Sequence, residues 1–255
     1  MKITFLGTGT STGVPVIGCD CATCTSSDAR DKRLRPSIFL EPGDGMKVLV
    51  DAGPDLRAQA LAHNLRRIDA IVFTHGHADH ILGLDEIRRY NHMYRSEMPC
   101  YGDAATIADI RRMFAYIFDP ATPKGGGLPM LTTFTLSGPF CIGHSEFIPV
   151  PIMHGTRPII GLRVGAFAYL TDCSGIPESS LPLLENLDVL VLDALRIRPH
   201  PTHFSLDEAV EAARQIGPRR TYFTHMCHDL QHQPTCARLP AGMELAYDGL
   251  TVECT

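Results

Sequence analysis

Three histidines and an aspartate lie within six residues, directly after a short apolar run. The run covers residues 70–73, and the polar residues are His75, His77, Asp79 and His80. Such side chains are costly to bury unless something binds them, and a divalent cation does so. His75 and His77 are two positions apart and face the same way on an extended segment, whereas Asp79 and His80 begin the next helix. The spacing therefore predicts a buried strand that ends at a site for two metal ions, against the alternative of a solvated, histidine-rich loop.

Apolar runs rich in β-branched residues alternate with stretches of helical periodicity along the chain. The predicted strands are residues 2–6, 37–40, 47–50, 70–73, 161–164, 166–170, 189–192 and 221–223. The predicted helices are residues 54–65, 82–90, 104–114, 177–187 and 206–216. Ser205 is a suitable N-cap for the last helix, because Glu208 follows three residues later. This alternation indicates a layered α/β architecture.

Composition narrows the class of protein. The 255 residues carry 23 Lys and Arg against 28 Asp and Glu, a net charge of −5, which argues against binding nucleic acid through a broad basic face. The apolar run at residues 3–6 is too short for a secretory signal, and the sequence has no membrane-spanning run. The nine cysteines are an odd number, with three of them crowded between positions 19 and 24. We therefore expect a cytoplasmic protein that binds metal rather than forming disulfides.

The segment His75–His80 resembles the H-x-H-x-D-H signature of the metallo-β-lactamase superfamily of metallohydrolases. The other landmarks of that superfamily are matched in order by residues 50–53, 151–154, 169–172 and 223–225. The resemblance implies a four-layer αββα sandwich, with two mixed sheets and helices on the outer faces. It also implies a single domain over residues 1–255.

Carried over residue by residue, the resemblance implies two divalent ions, Zn or Mn, with Fe as a further option. His75, His77 and His154 would hold one ion, Asp79, His80 and His225 the other, and Asp172 would bridge both. Asp51 is expected to orient ligands rather than to bind metal.

Three cysteines near residues 18–25 suggest another metal site. Cys19, Cys21 and Cys24 can converge on one Zn²⁺, and a fourth ligand would complete a tetrahedral structural site. The alternative is three free buried thiols. This segment and residues 224–228 are similar to the cyclic phosphodiesterase of the bacterial carbon–phosphorus lyase pathway, which implies structural zinc with His228 as fourth ligand. Cys227 is a rival for that position.

The resemblance also implies a proton donor just before the helix at residues 206–216. His203 matches the position best, and His200 is the second choice. A histidine with a pKa near neutrality suits this role. The predicted catalytic set is His203 together with Asp79 and Asp172 among the metal ligands.

The resulting hypothesis is a dinuclear metal-dependent phosphodiesterase. A hydroxide shared by the two ions would attack a small, cyclic phosphodiester, and His203 would protonate the departing alkoxide to leave a phosphomonoester. The alternatives are a transfer-RNA 3′-processing endonuclease, a thioesterase or lactonase, and a non-enzymatic metal-binding module. We expect a small-molecule phosphodiester as partner, with nucleic acid not favoured and no membrane association.

Two regions are open to more than one interpretation. Residues 91–131 are expected to form an insertion that could reshape the pocket. The loop at 119–129 within this insertion is either a mobile substrate lid or a tolerated insertion. The apolar and aromatic run at 113–118 is either a homodimer contact or a buried helix end.

Overall fold

The computed structural model describes residues 1–123 and 127–255. Within that part, two seven-stranded sheets pack face to face, and helices cover the outer face of each. The predicted αββα sandwich with two mixed sheets is confirmed. Among the described residues, no helix combines the length and apolar character needed to cross a membrane.

The elements alternate as the sequence indicates. The strands are β1 (Lys2–Gly7), β2 (Ser37–Glu41), β3 (Val48–Val50), β4 (Ala70–Val72), β5 (Met98–Gly102), β6 (Leu131–Thr135), β7 (Phe140–Ile142), β8 (Ser145–His154), β9 (Arg157–Val164), β10 (Phe167–Leu170), β11 (Val189–Asp193), β12 (Arg220–Thr224), β13 (Met243–Leu245) and β14 (Thr251–Glu253). The α-helices are α1 (Leu56–Ala62), α2 (Ala78–Ile81), α3 (Arg88–Tyr94), α4 (Ala104–Met113), α5 (Ala115–Phe118), α6 (Leu206–Ile216) and α7 (His232–Cys236). Short 3₁₀ segments cover Ala29–Asp31, Leu84–Ile87 and Glu178–Leu184.

Each sheet has an antiparallel half and a parallel half. In the first sheet, of order β14-β1-β2-β3-β4-β5-β6, the strands from β3 to β6 run parallel. In the second sheet, of order β13-β12-β11-β10-β9-β8-β7, the strands from β10 to β13 run parallel. The carboxyl ends of parallel strands meet at one edge of a sheet, which is where ligands bind in many α/β folds.

Strand side chains alternate between two separate parts of the core. In β4, Ala70 and Val72 lie between the two sheets, whereas Ile71 contacts the helices on the outer face. In β11, Val189 and Val191 lie between the sheets, while the intervening leucines pack under α6. Both strands are therefore covered on both faces, which explains their nearly continuous apolar sequences.

Helix α6 has the predicted bounds. The Ser205 side chain accepts a hydrogen bond from the Glu208 N–H, and the Glu208 side chain accepts one from the Ser205 N–H. Gly217 ends the helix with a φ of 69°, in the left-handed region. Both ends of the helix therefore follow from local sequence signals.

Other predicted elements differ from the structure. The helix expected over 177–187 is a 3₁₀ segment, since Pro182 lies inside it and lacks an N–H donor. The segment at 91–131, expected to be an insertion, contains β5, which lies between β4 and β6 and is part of the first sheet. The loop at 119–129 includes residues 124–126, which lie outside the described residues. In the run at 113–118, Phe114 is buried and Tyr116 is 38% exposed.

We predict that Gly161→Ala destabilises the fold. Gly161 lies in β9 against β10, and an added Cβ would lie 2.9 Å from the Tyr169 carbonyl oxygen and against the Leu170 side chain. Overpacking of this kind should lower the free energy of unfolding by about 1–3 kcal/mol, measured by urea denaturation. Gly138→Ala is the control, because an added Cβ there meets nothing within 4 Å. Equal stability of the two variants would contradict the prediction.

Candidate metal centre

The ends of several strands bring polar side chains together. Asp51 follows β3, His75 lies just after β4, Asp172 lies just after β10, and His225 follows β12. Asp51, Asp172 and His225 have φ values of 62°, 56° and 62°, in the left-handed region that non-glycine residues seldom adopt. Such backbone conformations persist where the surrounding structure holds them, and they cluster at functional sites.

The side chains form two groups that share Asp172. The ligand atoms of His75, His77, His154 and Asp172 lie within 4.8 Å of one another, and so do those of Asp79, His80, Asp172 and His225. The structure thus brings together all seven residues predicted to hold the two ions of this centre. The two groups have the donor types that suit Zn²⁺, Mn²⁺ or Fe²⁺.

Asp172 lies between the groups. Its Oδ2 is 3.1 Å from Nε2 of His80, and its Oδ1 is 3.2 Å from Nε2 of His225 and 3.8 Å from Nε2 of His75. The Thr171 hydroxyl donates a hydrogen bond of 2.7 Å to Oδ2. Both oxygens therefore lie against imidazoles of the second group, and Oδ1 also faces His75 of the first group.

Asp51 orients two of the imidazoles and belongs to neither ligand group. It accepts hydrogen bonds from the Thr74 N–H at 2.9 Å, the Thr74 hydroxyl at 2.8 Å and His80 Nδ1 at 2.7 Å. Since the Thr74 hydroxyl donates to Asp51, its oxygen accepts from His75 Nδ1 at 3.1 Å. These bonds leave Nε2 of His75 and of His80 free to face the centre, as metal-binding histidines require.

His154 is oriented in the same manner from the other sheet. Its Nδ1 donates to the Thr202 carbonyl oxygen at 2.7 Å, and its ring centroid lies 5.1 Å from that of His77. The backbone of the loop before α6 thus fixes the third imidazole of the first group.

His203 lies beside both groups. Its Nδ1 donates to Oδ2 of Asp193 at 2.9 Å, and its ring stacks on that of His225 with a centroid distance of 4.7 Å. The ring centroid of His200 is 5.3 Å from that of His203, and the His200 Nδ1 accepts from the Thr202 N–H. The structure therefore gives His203, rather than His200, the buried position supported by a carboxylate.

Asp193 also faces the site, although it was not among the residues predicted from the sequence. Its Oδ1 lies 3.8 Å from Nδ1 of His225, so the same carboxylate faces both His203 and His225. The available signal was its place at the end of the apolar strand β11, which matches the place of Asp51 after β3.

The protonation states differ between the two groups. Burial lowers the pKa of His75, His77 and His154, so these rings are neutral, the form in which an imidazole binds a metal ion. Burial alone would also lower the pKa of His225, but the carboxylates of Asp172 and its neighbours raise it to about 9. The imidazoles of the second group therefore lie in more negative surroundings than those of the first, because the second group contains two aspartates, Asp79 and Asp172.

Buried nitrogens without partners test whether metal fits this site. Within residues 1–123 and 127–255, Nε2 of His75, His80 and His225 are buried and have no hydrogen-bond partner. An unpartnered buried polar atom is unfavourable, and a divalent cation in each ligand group would bind these nitrogens. The donor set therefore fits two divalent ions.

The cysteine segment forms a second, separate cluster. The Sγ atoms of Cys19, Cys21 and Cys24 lie 3.2, 3.6 and 3.4 Å from Nδ1 of His228. Cys227 is not in this group, and its Sγ instead accepts from the Asp229 N–H. The N–H of Cys24 donates to Sγ of Cys21 and lowers the pKa of that thiol to about 7, which favours the thiolate that binds metal.

Comparison with known proteins places this geometry in a family. A protein-family model described as "Beta-lactamase superfamily domain" matches residues 46–226, which is most of the chain. The chain belongs to the β-lactamase superfamily. A crystal structure of a diphosphatase from the PhnP family is 46% identical, with a TM-score of 0.92, and the match covers 99% of this chain and 97% of that one. Within the superfamily the chain is therefore a PhnP-like metallohydrolase.

More distant relatives are also similar over nearly the whole of this chain. The octanoyltransferase of Porphyromonas gingivalis (strain ATCC BAA-308 / W83) is 35% identical over 98% of this chain, and the chain spans 51% of that relative's length. The short form of human tRNase Z has a TM-score of 0.71, and the match covers all of both chains. Because the two sequences are only 20% identical, this likeness shows the fold alone. The residues of the β-lactamase superfamily domain thus constitute a metal-dependent hydrolase domain.

We predict that Asp51→Asn weakens metal binding. An amide at this buried position would present N–H groups to the Thr74 and His80 donors and release both imidazoles from their orientation. Loss of such a supporting carboxylate should reduce metal affinity about 10- to 100-fold, measured by titration calorimetry. Asp69→Asn is the control, because Asp69 accepts from the Lys47 N–H outside the site. Unchanged affinity in Asp51→Asn would show that the ligands hold their geometry unaided.

Proposed function

We propose that the protein is a dinuclear metal-dependent phosphodiesterase that opens a small cyclic phosphodiester to a phosphomonoester. One observation carries the proposal: two ligand groups share Asp172, and His203 lies beside them on a carboxylate support. This arrangement suits in-line attack on phosphorus, in which charge develops on several oxygens and a proton must reach the departing one.

In this proposal, His75, His77 and His154 hold one ion, Asp79, His80 and His225 hold the second, and Asp172 contacts both. The ions would act as Lewis acids and supply an activated water. They are zinc or manganese, with iron as a further option. Asp51 and the Thr202 carbonyl keep the imidazoles in the required tautomers. Cys19, Cys21, Cys24 and His228 would hold a structural zinc.

His203 is the proposed proton donor to the departing alkoxide. Its Nδ1 is held by Asp193, so Nε2 is the atom that faces the substrate. Burial lowers the pKa of the ring to about 4 in the protein alone. A phosphate anion bound beside the ring would favour the imidazolium, because an adjacent negative charge stabilises the protonated form. The ring would thus gain its proton with the substrate in place and pass it to the leaving oxygen.

The comparisons support phosphorus rather than carbon as the reacting atom. The relative named a diphosphatase is 46% identical over nearly the whole chain, and diphosphate hydrolysis also displaces an oxygen from phosphorus. The net charge of −5 favours a small substrate over transfer RNA, whose binding rests on many phosphate contacts.

A substrate panel tests the proposal. The metal-loaded protein, with its metal content measured, would be assayed on adenosine 2′,3′-cyclic phosphate, a ribosyl 1,2-cyclic phosphate, bis(p-nitrophenyl) phosphate, a diphosphate diester, a pre-tRNA and a thioester. We expect the highest kcat/KM on a cyclic phosphodiester and two ions besides the zinc at the cysteines. Faster turnover of the thioester or of pre-tRNA, or a single ion at the shared centre, would overturn the proposal.

We predict that His203→Gln lowers kcat on the cyclic phosphodiester by about 100- to 10,000-fold, the usual contribution of a positioned acid. The loss should be much smaller on bis(p-nitrophenyl) phosphate, since p-nitrophenolate leaves without protonation. The alkaline fall of kcat in the parent should also disappear, because deprotonation of His203 inactivates only an enzyme that uses it as the acid.

His200→Gln is the matched control for this prediction, because His200 lies close to His203 but lacks the contact with Asp193. Metal content should stay unchanged in both variants. A larger loss in His200→Gln than in His203→Gln would reverse the assignment of the proton donor.

We predict that Cys21→Ser removes the structural zinc and lowers the melting temperature. A serine hydroxyl binds zinc far more weakly than a thiolate, and the energy of binding a structural zinc contributes directly to folding. Elemental analysis should show the loss of one zinc per chain, while Cys141→Ser, at an exposed cysteine outside the cluster, should keep it. Equal zinc content in both variants would mean that the cluster consists of free thiols.

A further inference from the structure

Tyr169 is a polar residue of the inter-sheet core that the proposed mechanism does not use. It lies in β10, three residues before Asp172, and belongs with Val50 and Val72 to the cluster of side chains between the two sheets. The side chain is fully buried, yet within residues 1–123 and 127–255 its hydroxyl has no hydrogen-bond partner. A buried hydroxyl without a partner is unfavourable, and a phenylalanine would fill the same space without that cost. The hydroxyl therefore calls for a role.

The hydroxyl of Tyr169 lies on the inter-sheet side of the metal centre. Burial and then the nearby charge of Asp51 raise the pKa of Tyr169. Smaller opposing effects come from His80 and Thr171, so all three side chains lie close to the hydroxyl. The phenol therefore keeps its proton and is a hydrogen-bond donor in surroundings where carboxylates can only accept.

Thr171 is the acceptor that the hydrogen-bond pattern leaves open. Its hydroxyl donates its only proton to Oδ2 of Asp172 at 2.7 Å, so its oxygen can accept from a second donor. Residues 169 and 171 also project from the same side of an extended segment. Asp51, the other acceptor near Tyr169, already accepts three hydrogen bonds. A chain from Tyr169 through Thr171 to Asp172 is thus the arrangement that pairs both hydroxyls.

We propose that Tyr169 is a positioning residue of the metal centre: in the metal-loaded protein its hydroxyl donates to Thr171, and Thr171 holds the carboxylate of Asp172 toward both ions. Hydrogen bonds in series strengthen one another, so the first bond of the chain stiffens the second. Tyr169 belongs to neither ligand group and acts only through Thr171. The inference rests on the two-ion centre of the proposed function, but on neither its substrate nor its reaction.

Tyr169→Phe tests the proposal, because it removes the hydroxyl and keeps the ring. We expect the affinity for Mn²⁺ at the centre to fall about 10-fold, as for other groups that support a metal ligand, measured by titration calorimetry. Mn²⁺ is the probe because cysteine thiolates favour softer ions. The electron paramagnetic resonance spectrum of the bound Mn²⁺ should also change, since the carboxylate of Asp172 loses its fixed orientation.

The stability of the metal-free protein separates a positioning role from a purely structural one. A hydroxyl that pairs only in the assembled centre contributes nothing to the metal-free fold. Tyr169→Phe should therefore leave the urea midpoint of the chelator-treated protein unchanged or raise it. A hydroxyl that merely supports the core would instead lower that midpoint when it is removed. Such a fall, or an unchanged Mn²⁺ affinity and spectrum, would overturn the proposal.

Tyr222→Phe is the matched control. Tyr222 lies three residues before His225, the same spacing that separates Tyr169 from the aspartate that both ligand groups share. Its ring packs against the same inter-sheet core, but its hydroxyl lies near Arg220 rather than near the ligands. We expect the Mn²⁺ affinity and spectrum of this variant to match those of the parent. An equal loss of affinity in the two tyrosine variants would contradict a specific role for Tyr169.

A double-mutant cycle with Thr171→Val tests the route. If Tyr169 acts through Thr171, Tyr169→Phe should change the Mn²⁺ affinity by less than about twofold once the Thr171 hydroxyl is gone. Additive losses would show that Tyr169 acts through another group and would overturn the inference. These measurements use no substrate, so a parent protein that binds Mn²⁺ at the centre but hydrolyses no phosphodiester refutes the proposed function alone.

Discussion

The burial of one carboxylate, that of Asp172, sets the conditions for the rest of the site. It is 2% exposed and lies within 4 Å of the imidazole nitrogens of His75, His80 and His225. A carboxylate in such a place is stable only when positive charge surrounds it. The surrounding imidazoles cannot all supply that charge, because burial keeps His75 neutral. Divalent cations would supply positive charge on the His75 side as well, so this almost fully buried carboxylate suits a site that holds metal.

The family resemblance predicted the layers of the fold, but individual helices and strands were predictable only where the local sequence carried a signal. Helix α6 has its cap, its apolar face and its final glycine within thirteen residues, and its bounds were predicted correctly. Strand β8 was predicted by no pattern, because Pro149 and Pro151 interrupt it. The structure accommodates them because β7 pairs with β8 only as far as Phe147, which leaves the outer edge of β8 free of ladder bonds at both prolines. Which edge of a strand is unpaired depends on the tertiary structure and cannot be inferred from the strand itself.

The metal ligands were predictable for a different reason. His75 to His80 form a dense local motif, and the single residues His154 and His225 could be assigned only by resemblance to a family with the same order of motifs. Asp193 escaped because it has no such motif, and its role rests on contacts with His203 and His225, which are 10 and 32 residues away. Residues that act through distant partners leave little trace in the local sequence.

A single turn joins the cysteine cluster to the metal centre. The stability of the cysteine cluster is therefore linked to the geometry of the metal centre. His225 and His228 are three residues apart, and Arg33, fully buried, donates to the carbonyl oxygens of Cys227 and Leu230 in the same turn. His225 has a left-handed backbone, which persists only where neighbouring structure holds it. Backbone hydrogen bonds between Met226 and the strand-end segment at Thr8 and Thr10 supply that constraint, together with the contacts of His228 with the cysteines and of Arg33 with the turn. The cysteine cluster therefore contributes to the preorganisation of the metal centre, although none of its side chains belongs to that centre.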